Sequence, residues 1–211
     1  MTDRKGLLTD RSLRAFSDDL ASGDPVPGGG SAAAYAGALG AALVAMVARI
    51  ASRKAEPGRH DAFTASIDGL RAEFLALVDA DAGAFAEVAA AMKLPKKDDD
   101  ERRVRGERLQ SALAAASRVP LRLAAACRTL LRACEEGLEI ASAHTLSDIG
   151  VAAHLADASL RGAALNVMIN LAAMTDHEQV KTLSEELDRA LEGAAEQRSR
   201  ITDFVESRTA R

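Results

Sequence analysis

The sequence predicts an all-α protein, a single-domain bundle of long and closely packed helices. Apolar residues make up 48% of the 211-residue chain, whereas aromatic residues make up only 3%. A core of alanine, leucine and valine suits close helix packing and lacks the aromatic side chains that sheets favour. Apolar residues also recur every three or four positions through most of the chain, which is the period of an amphipathic helix. Because no linker or internal repeat interrupts this pattern, residues 1–211 are predicted to form one domain.

The first predicted helix is short. Leu13, Phe16 and Leu20 share one helical face, so a helix is predicted from about Asp10 to Ala21. A glycine two residues later ends the periodic pattern.

A proline- and glycine-rich loop then leads into the most apolar helix. The loop reads Asp24-Pro25-Val26-Pro27-Gly28-Gly29-Gly30-Ser31. Its prolines and glycines exclude a regular helix before Ser31, and the hydroxyl of Ser31 is predicted to cap the helix that follows. A glycine run at the start of a helix also leaves backbone N–H groups free to hold an anion.

The helix after this loop is composed mainly of small residues. From Ser31 to Ala48 it carries no charge, and its small side chains let neighbouring helices approach closely, which predicts a place in the middle of the bundle. The same run is near the lower length limit for a membrane span. Since alanine and glycine are only weakly apolar and no aromatic belt flanks the run, we predict a buried helix and no membrane association.

The next helix carries one carboxylate on an otherwise apolar stripe. The stripe consists of Phe63, Ile67, Leu70, Phe74, Leu77, Asp81, Ala84, Val88 and Ala91, widened by Val78, Phe85 and Met92. A buried carboxylate is costly unless it is paired, protonated or used. Asp81 is therefore predicted either to pair with an arginine of a neighbouring helix or to act as a general acid or base, for which burial raises the pKa of the carboxyl. Asp79 points to roughly the opposite side.

Two further helical regions are predicted beyond the break at Leu94-Pro95-Lys96. The first follows a mixed-charge run, resumes at Leu109 and ends near Gly137, with a kink or break expected at Pro120.

The second region spans residues 145–175. Ser147 is predicted as its N-cap and Asp148 as the acidic residue of its first turn. Asn166 and Asn170 lie four residues apart on a stripe of small residues. They are predicted either to face a shared cavity or to fix the register of the helix. An amphipathic final segment begins at Glu178.

Composition excludes several classes of protein. The formal net charge of −4 and the absence of a basic face argue against nucleic acid as a partner. Cys127 and Cys134 lie two helical turns apart, too far for a disulfide, and are predicted to be buried thiols of a cytoplasmic protein. The four histidines are scattered, and none has the spacing of a metal site, so no metal is predicted.

Five segments together resemble the cyclodeaminase/cyclohydrolase family of folate enzymes. They are Pro27–Ser31 with the small-residue helix, Val78–Phe85, Leu94–Lys96, Ser147–Ala152 and Gly162–Asn170. They occur in the family's order and cover nearly the whole chain. The resemblance implies an all-helical fold that dimerises, a one-carbon tetrahydrofolate substrate and no cofactor beyond that substrate.

The resemblance also implies roles for particular residues. Asp81 is the predicted proton-transfer group, with Asp79 as second choice. Asp148, Asn166 and Asn170 are expected to orient the pterin or the attacking water, and Lys96 and Ser147 are expected to bind substrate. The segment from Gly28 through Gly29 and Gly30 to Ser31 is expected either to hold a carboxylate of the glutamate tail or to permit close helix packing.

Within the family, two reactions remain open. Hydrolysis of 5,10-methenyltetrahydrofolate to 10-formyltetrahydrofolate is favoured slightly, because this chain has no fused formiminotransferase domain to supply a formimino substrate. Formimidoyltetrahydrofolate cyclodeaminase is the alternative, and a non-catalytic helical dimer is a third reading. The chain departs from the family pattern at residues 52–56 and 135–144, which are both candidates for the border of the pocket, and these departures leave the choice of substrate open.

Overall fold

The computed structural model describes residues 6–209, in which seven α-helices follow one short 3₁₀ turn. The 3₁₀ turn is Leu8–Asp10, and the helices are α1 (Leu13–Leu20), α2 (Gly29–Ser52), α3 (Asp61–Met92), α4 (Asp99–Ile140), α5 (Leu146–Ala172), α6 (His177–Leu191) and α7 (Ala194–Thr209). The described part of the chain contains no strand. The all-α prediction is therefore confirmed, while the ends of the predicted domain, residues 1–5 and 210–211, lie outside the described residues.

Helix α2 occupies the centre of the bundle. It packs against α3 on one side and α5 on the other, and α4 lies behind it and contacts all three. Over residues 6–209, α3 and α5 form no extended interface with each other. Helices α6 and α7 cover the outer surfaces of α4 and α5. The arrangement leaves one flank of α2 facing away from α4.

Small side chains allow this close packing, as predicted. Ala34, Ala41 and Ala48 of α2 are fully buried. A Cβ atom at Gly37 would overlap the ring of Phe74, so the α2–α3 spacing depends on the absence of a side chain there. The most apolar 18-residue stretch of α2 has a mean hydropathy of 1.7, which would permit a membrane span. However, 56% of this stretch is buried inside the protein.

Three predicted helix boundaries were wrong. Helix α1 begins at Leu13, because Ser12 is its N-cap and accepts a hydrogen bond from the Ala15 N–H at 3.2 Å. Helix α2 begins at Gly29, directly after the extended backbone of Gly28, so Ser31 lies in the first turn and is not the cap. Helix α5 begins after Thr145, so Ser147 is likewise a first-turn residue.

Pro120 does not break α4, which runs without interruption for 42 residues. Proline removes one helical hydrogen bond, that between its own nitrogen and the carbonyl of Ala116. Pro120 is buried and sits among residues packed on the core, and this packing holds the helix together. The predicted break is therefore wrong.

Both cysteines are buried and unpaired, as predicted. Burial raises the pKa of Cys127 and Cys134 to about 12. Because the thiolate is the reactive form, neither thiol is a nucleophile near neutral pH.

The packing at Gly37 predicts a specific loss of stability. Gly37→Ala forces the new methyl group into Phe74, and the overpacking is expected to lower the free energy of unfolding by about 1–3 kcal/mol. The matched control is Gly69→Ala in α3, where the added methyl group meets no atom within 4 Å and the gain in helix propensity is expected to raise stability by about 0.5–1 kcal/mol. Urea unfolding followed by circular dichroism measures both. An equal gain in the two variants would contradict the proposed packing.

Candidate active site

A cavity of about 440 Å³ lies at the end of the bundle where α2 begins. Helices α3 and α5 form its sides and α4 its floor, and the loop before α2 closes one end. Its lining residues are Pro25, Val26, Gly28, Gly29, Gly30, Asp81, Ala84, Phe85, Val88, Met92, Leu113, Ala116, Pro120, Asn166, Ile169, Asn170 and Ala173. The volume lies within the range of about 300–1,000 Å³ that small-molecule sites occupy.

Asp81 is the only ionisable residue in this lining. Its side chain extends from α3 onto the first turn of α2, where one carboxylate oxygen lies 3.0 Å from the Ser31 hydroxyl. The other oxygen rests against Gly30, where a Cβ atom would overlap it. Within residues 6–209, Asp81 forms no ion pair, so the predicted alternative of a salt bridge to a neighbouring arginine is wrong.

The environment of Asp81 raises the pKa of its carboxyl relative to that of an exposed aspartate. Burial raises the pKa of the Asp81 carboxyl above the ordinary aspartate value, and hydrogen bonds from the Ser31 side chain and backbone lower it by less. The positive end of the α2 dipole acts in the same direction as the hydrogen bonds. A carboxyl with opposing influences of this kind can exchange a proton near neutral pH more readily than an exposed aspartate.

Ser31 positions this carboxyl and does not face the cavity. The residue is fully buried, and its hydroxyl lies 3.0 Å from both the Val78 carbonyl and the Asp81 carboxylate. A hydroxyl has one proton, so it donates fully to one acceptor at a time. When Asp81 is ionised the hydroxyl donates to the carboxylate; when Asp81 is protonated it is free to donate to Val78.

One residue of the glycine run, Gly30, has the packing role that was one of the two predicted for the run. Gly30 is required because the Asp81 carboxylate occupies the space of a side chain. Gly28 and Gly29 line the cavity and have room for a Cβ atom. The other predicted role, holding a carboxylate of the glutamate tail, stays a prediction.

Asn166 and Asn170 both reach the cavity from α5. The Asn166 side-chain nitrogen donates to the Gly162 carbonyl one turn earlier, at 2.8 Å, which leaves its amide oxygen to face other groups. The two predicted roles therefore coexist at Asn166, where one half of the amide serves the helix and the other is available to a ligand.

The remaining predicted site residues lie elsewhere. Asp79 accepts hydrogen bonds from the Leu8 N–H at 2.5 Å and the Thr9 hydroxyl at 2.8 Å, so it anchors the N-terminal 3₁₀ turn. Lys96 is exposed in the loop after α3. Ser147 and Asp148 begin α5, and at 1.5 Å per residue Asp148 lies about 33 Å from Asn170. Within one subunit these residues do not share the cavity with Asp81.

The two segments that depart from the family pattern meet each other at the opposite end of the bundle. Lys54 and Ala55 line a groove with the end of α4 and the turn after it, residues 139–142. In a single subunit neither segment borders the Asp81 cavity.

The sequence did not predict the apolar walls of the cavity as binding residues. Phe85 and Met92 were interpreted as core, but both are exposed beside the cavity, as is Ile169. Pro120 is the sequence feature from which this part of the cavity could have been predicted. Its missing N–H leaves the Ala116 carbonyl without its helical donor, and both residues line the cavity.

Comparison with known proteins agrees with this architecture. The family model for formiminotransferase-cyclodeaminase matches residues 12–189. The crystal structure of formiminotetrahydrofolate cyclodeaminase from Thermotoga maritima, at 2.80 Å resolution, has a TM-score of 0.81 and 28% sequence identity, over 94% of this chain and 97% of that one.

Two curated relatives are similar over nearly the whole chain. Methenyltetrahydrofolate cyclohydrolase from Methylorubrum extorquens is 36% identical, over 93% of this chain and 97% of that enzyme. Formimidoyltransferase-cyclodeaminase from Rattus norvegicus is also 36% identical, over 95% of this chain, which spans only 38% of that protein. The motifs, the fold and these matches agree: the chain belongs to the formiminotransferase-cyclodeaminase family.

Proposed function

We propose that this protein is a methenyltetrahydrofolate cyclohydrolase, which hydrolyses 5,10-methenyltetrahydrofolate to 10-formyltetrahydrofolate. The observation that carries the proposal is the cavity with a single carboxylate, Asp81, and no cationic side chain in its lining. The similarity to the Methylorubrum cyclohydrolase over nearly the full length of both chains supports this choice of reaction.

The charge of the cavity fits the charge of the substrate. The methenyl carbon lies between two nitrogens and forms an amidinium cation. A carboxylate beside it gains a counter-charge, which lowers the pKa of the carboxyl from the raised value that burial gives it in the empty site. The cationic substrate therefore favours the ionised form of Asp81, which is the form that accepts a proton.

The reaction needs one group that first accepts a proton from the attacking water and later donates a proton to N5. Water adds to the methenyl carbon, its oxygen forming the new C–O bond while Asp81 accepts one proton. The bond between this carbon and N5 then breaks as Asp81 returns the proton to N5, and loss of the hydroxyl proton to solvent leaves the formyl group on N10. The sum is methenyl cation plus water giving the formyl product and one proton. Asn166 and Asn170 supply amide groups to orient the pterin or the water.

Water and the folate are the only reactants in this proposal, and no cofactor is required. We also propose a cytoplasmic location, which is consistent with two buried and unpaired thiols.

Formimidoyltetrahydrofolate cyclodeaminase is the second candidate, because the Thermotoga maritima protein of similar fold is a formiminotetrahydrofolate cyclodeaminase. In that reaction N10 attacks the formimino carbon on N5, and ammonia leaves to give the methenyl product. The adduct also has a tetrahedral carbon between the two nitrogens, so the same carboxylate can transfer the protons.

Two parallel assays separate these reactions. The purified protein is mixed with 5,10-methenyltetrahydrofolate, and the loss of methenyl absorbance is compared with the spontaneous rate. In the second assay 5-formiminotetrahydrofolate is supplied, and ammonia and methenyl absorbance are measured. Faster loss in the first assay supports the cyclohydrolase, and ammonia release with methenyl build-up supports the cyclodeaminase. Inactivity in both assays would favour the hypothesis of a non-catalytic helical dimer.

Asp81→Asn is expected to lower turnover at least about 100-fold, since proton transfer by a positioned side chain contributes 10²- to 10⁴-fold. The fold is expected to persist. Because the folded-state pKa of Asp81 is raised, stability falls as pH rises from the ordinary aspartate range through that raised value, and the amide removes this loss. The variant should therefore be at least as stable as wild type at neutral pH.

The matched control is Asp79→Asn, the second-choice carboxylate, which should retain near wild-type turnover because Asp79 anchors the N-terminal turn outside the cavity. Initial rates and thermal unfolding measure all three proteins. A fully active Asp81→Asn variant would contradict the proton-transfer role of Asp81.

We further propose that the protein is a homodimer. Helices α2 and α5 expose a continuous set of apolar side chains, which we call the apolar flank: Leu39, Ala42, Met46, Val151, Leu165 and Met168. Leu165 is 65% exposed and Met168 53%. The flank is about 26 Å long, from Val151 to Met168 on α5, and two helices about 10 Å apart give it a width near 20 Å, or roughly 500 Å². A standard interface buries about 800 Å² per partner, and the smallest specific ones bury somewhat more than half of that.

Leu165→Arg is expected to convert the dimer to a monomer, because each interface would bury two unpaired charges. The control Val104→Arg changes a side chain that is 45% exposed in α4, the helix on the side of α2 opposite to the flank, and should leave the dimer intact. Light scattering after size exclusion measures the mass. A wild-type monomer, or a wild type that requires detergent to stay in solution, would contradict the dimer.

A further inference from the structure

We propose that the Ala116 carbonyl, which Pro120 leaves without a helical donor, accepts a hydrogen bond from the 2-amino group of the pterin and so orients the substrate in the cavity. This inference rests on the proposed function. It deepens that function by naming the part of the folate that the cavity floor recognises. Pro120 is then a positioning residue, which acts through the Ala116 carbonyl.

The first observation is a helix carbonyl that has lost its ordinary partner. In α4 the N–H of residue 120 would donate to the Ala116 carbonyl, but proline has no N–H. The neighbouring hydroxyl of Ser117 donates to the Leu113 carbonyl instead, at 2.9 Å. Ala116 and Pro120 are both buried, and a buried carbonyl without a donor is destabilising. A donor on a ligand would remove this destabilisation.

The second observation is the place of this carbonyl. Ala116 and Pro120 both line the cavity, and residues four apart lie on one face of a helix. A helix carbonyl points along the axis toward the residue four positions later, and a proline ring at that position displaces it outward. The Ala116 oxygen therefore lies on the cavity floor, between two residues that both reach the cavity.

The third observation is the register between α4 and α5. The Cys127 thiol donates to the Ser159 hydroxyl at 3.1 Å. Earlier in α4, the Gln110 side chain donates to the Ala173 carbonyl just after α5, also at 3.1 Å. The two helices are therefore antiparallel and stay side by side between these contacts. Because the contacts bracket the cavity floor, the floor and the asparagines of α5 lie at the same level of the bundle.

The two sides of the cavity offer different hydrogen-bonding groups at this level. By the register, Ala116 lies opposite Asn170, and Pro120 lies opposite Asn166. Part of the Asn166 amide is used within α5, where its nitrogen donates to the Gly162 carbonyl at 2.8 Å. The floor thus presents an oxygen that only accepts, whereas the facing amides both donate and accept.

This arrangement matches one edge of a pterin. Its pyrimidine ring carries a carbonyl oxygen beside a ring N–H and an exocyclic 2-amino group, so an acceptor stands next to two donors. The floor carbonyl can accept from the amino group while an asparagine amide donates to the ring oxygen. Phe85, Leu113 and Ile169 supply apolar surface in the same lining, which suits the flat ring between the polar contacts.

The length of the substrate sets its direction in the cavity. The aminobenzoyl-glutamate chain is attached to the side of the pterin away from the pyrimidine ring, and it is too long for a cavity of about 440 Å³. This chain must therefore extend out of the mouth. The pyrimidine ring is then the part that reaches the α4 floor, and the methenyl carbon stays nearer the mouth, where Asp81 approaches it from the α3 wall.

Restoring the missing N–H tests the role of the carbonyl. Pro120→Ala and Pro120→Val each supply an N–H that bonds the Ala116 carbonyl within the helix, and valine keeps a side chain of similar volume. Binding is measured by calorimetry with 5,10-dideazatetrahydrofolate, which has the pyrimidine edge but no amidinium carbon to hydrolyse. Both variants should raise its Kd about tenfold, the loss expected for one buried hydrogen bond.

The matched control is Gly106→Ala in the same helix, where an added methyl group meets no atom within 4 Å. It raises the helix propensity of α4 without touching the cavity, so its Kd should equal that of wild type. An unchanged Kd in both Pro120 variants would overturn the proposal. A loss of binding in the alanine variant alone would also overturn it, because that result would indicate the volume of the ring and not the carbonyl.

Removing the amino group from the ligand identifies the donor. The 2-desamino form of the same analogue should bind wild type about tenfold more weakly than the parent compound. The Pro120 variants should show little further loss with this ligand, because the contact is already absent. Independent losses that multiply to about a hundredfold would contradict a bond between these two groups. Failure of wild type to bind either analogue would likewise overturn the inference.

Kinetics separate this binding role from the chemistry at Asp81. Both Pro120 variants should raise KM for methenyltetrahydrofolate about tenfold and change kcat little, because the contact is made equally in the ground state and the transition state. Asp81→Asn should lower kcat instead. A fall in kcat with unchanged KM in the Pro120 variants would contradict the proposed contact. If wild type converts neither folate, the proposed reaction fails, and the calorimetric comparison still decides the role of the carbonyl.

Discussion

The architecture of the site depends on one contact, that between the Asp81 carboxylate and the first turn of α2. One oxygen accepts from the Ser31 hydroxyl and the other lies against Gly30, where no side chain would fit. Burial and the helix N-terminus then act in opposite directions on the pKa of this carboxyl, and burial has the larger effect. The glycine run, the buried serine and the small residues around Asp81 in α3 have a common explanation. Together they let a carboxylate lie without a counter-ion at the end of a cavity.

The same small-residue packing that creates this contact also exposes a surface. Because α2 lies between α3 and α5 with α4 behind, its fourth side is covered only near Tyr35, where Phe16 of α1 packs against it. That side is apolar until Arg49, so the sequence feature that resembles a membrane span combines buried core residues with an exposed apolar face, for which we propose a subunit interface.

Sequence reasoning predicted the helices and the principal carboxylate, because helical periodicity makes a charge on an apolar stripe visible in the chain. It misplaced Ser31, since a serine after three glycines has the pattern of a cap, and only the position of α3 shows that its hydroxyl serves Asp81. It also grouped Asp148 with Asn170, which share a helix but lie at its two ends. Motifs adjacent in a family pattern need not be adjacent in one subunit. Pro120 was interpreted as a kink or break because local propensity carries no information on tertiary packing.

The most direct test of the central claim is the pKa of Asp81 itself. Carbon-13 NMR of protein labelled at the aspartate carboxyl carbons would give the titration midpoint, with Asp81→Asn used to assign the signal. Our account predicts a midpoint clearly above the ordinary aspartate value of about 3.9, and a fall in that midpoint when the cationic substrate or a cationic analogue binds. A midpoint at or below the ordinary value in the free protein would mean that the helix terminus and Ser31 outweigh burial, and it would contradict the proposed proton-transfer role.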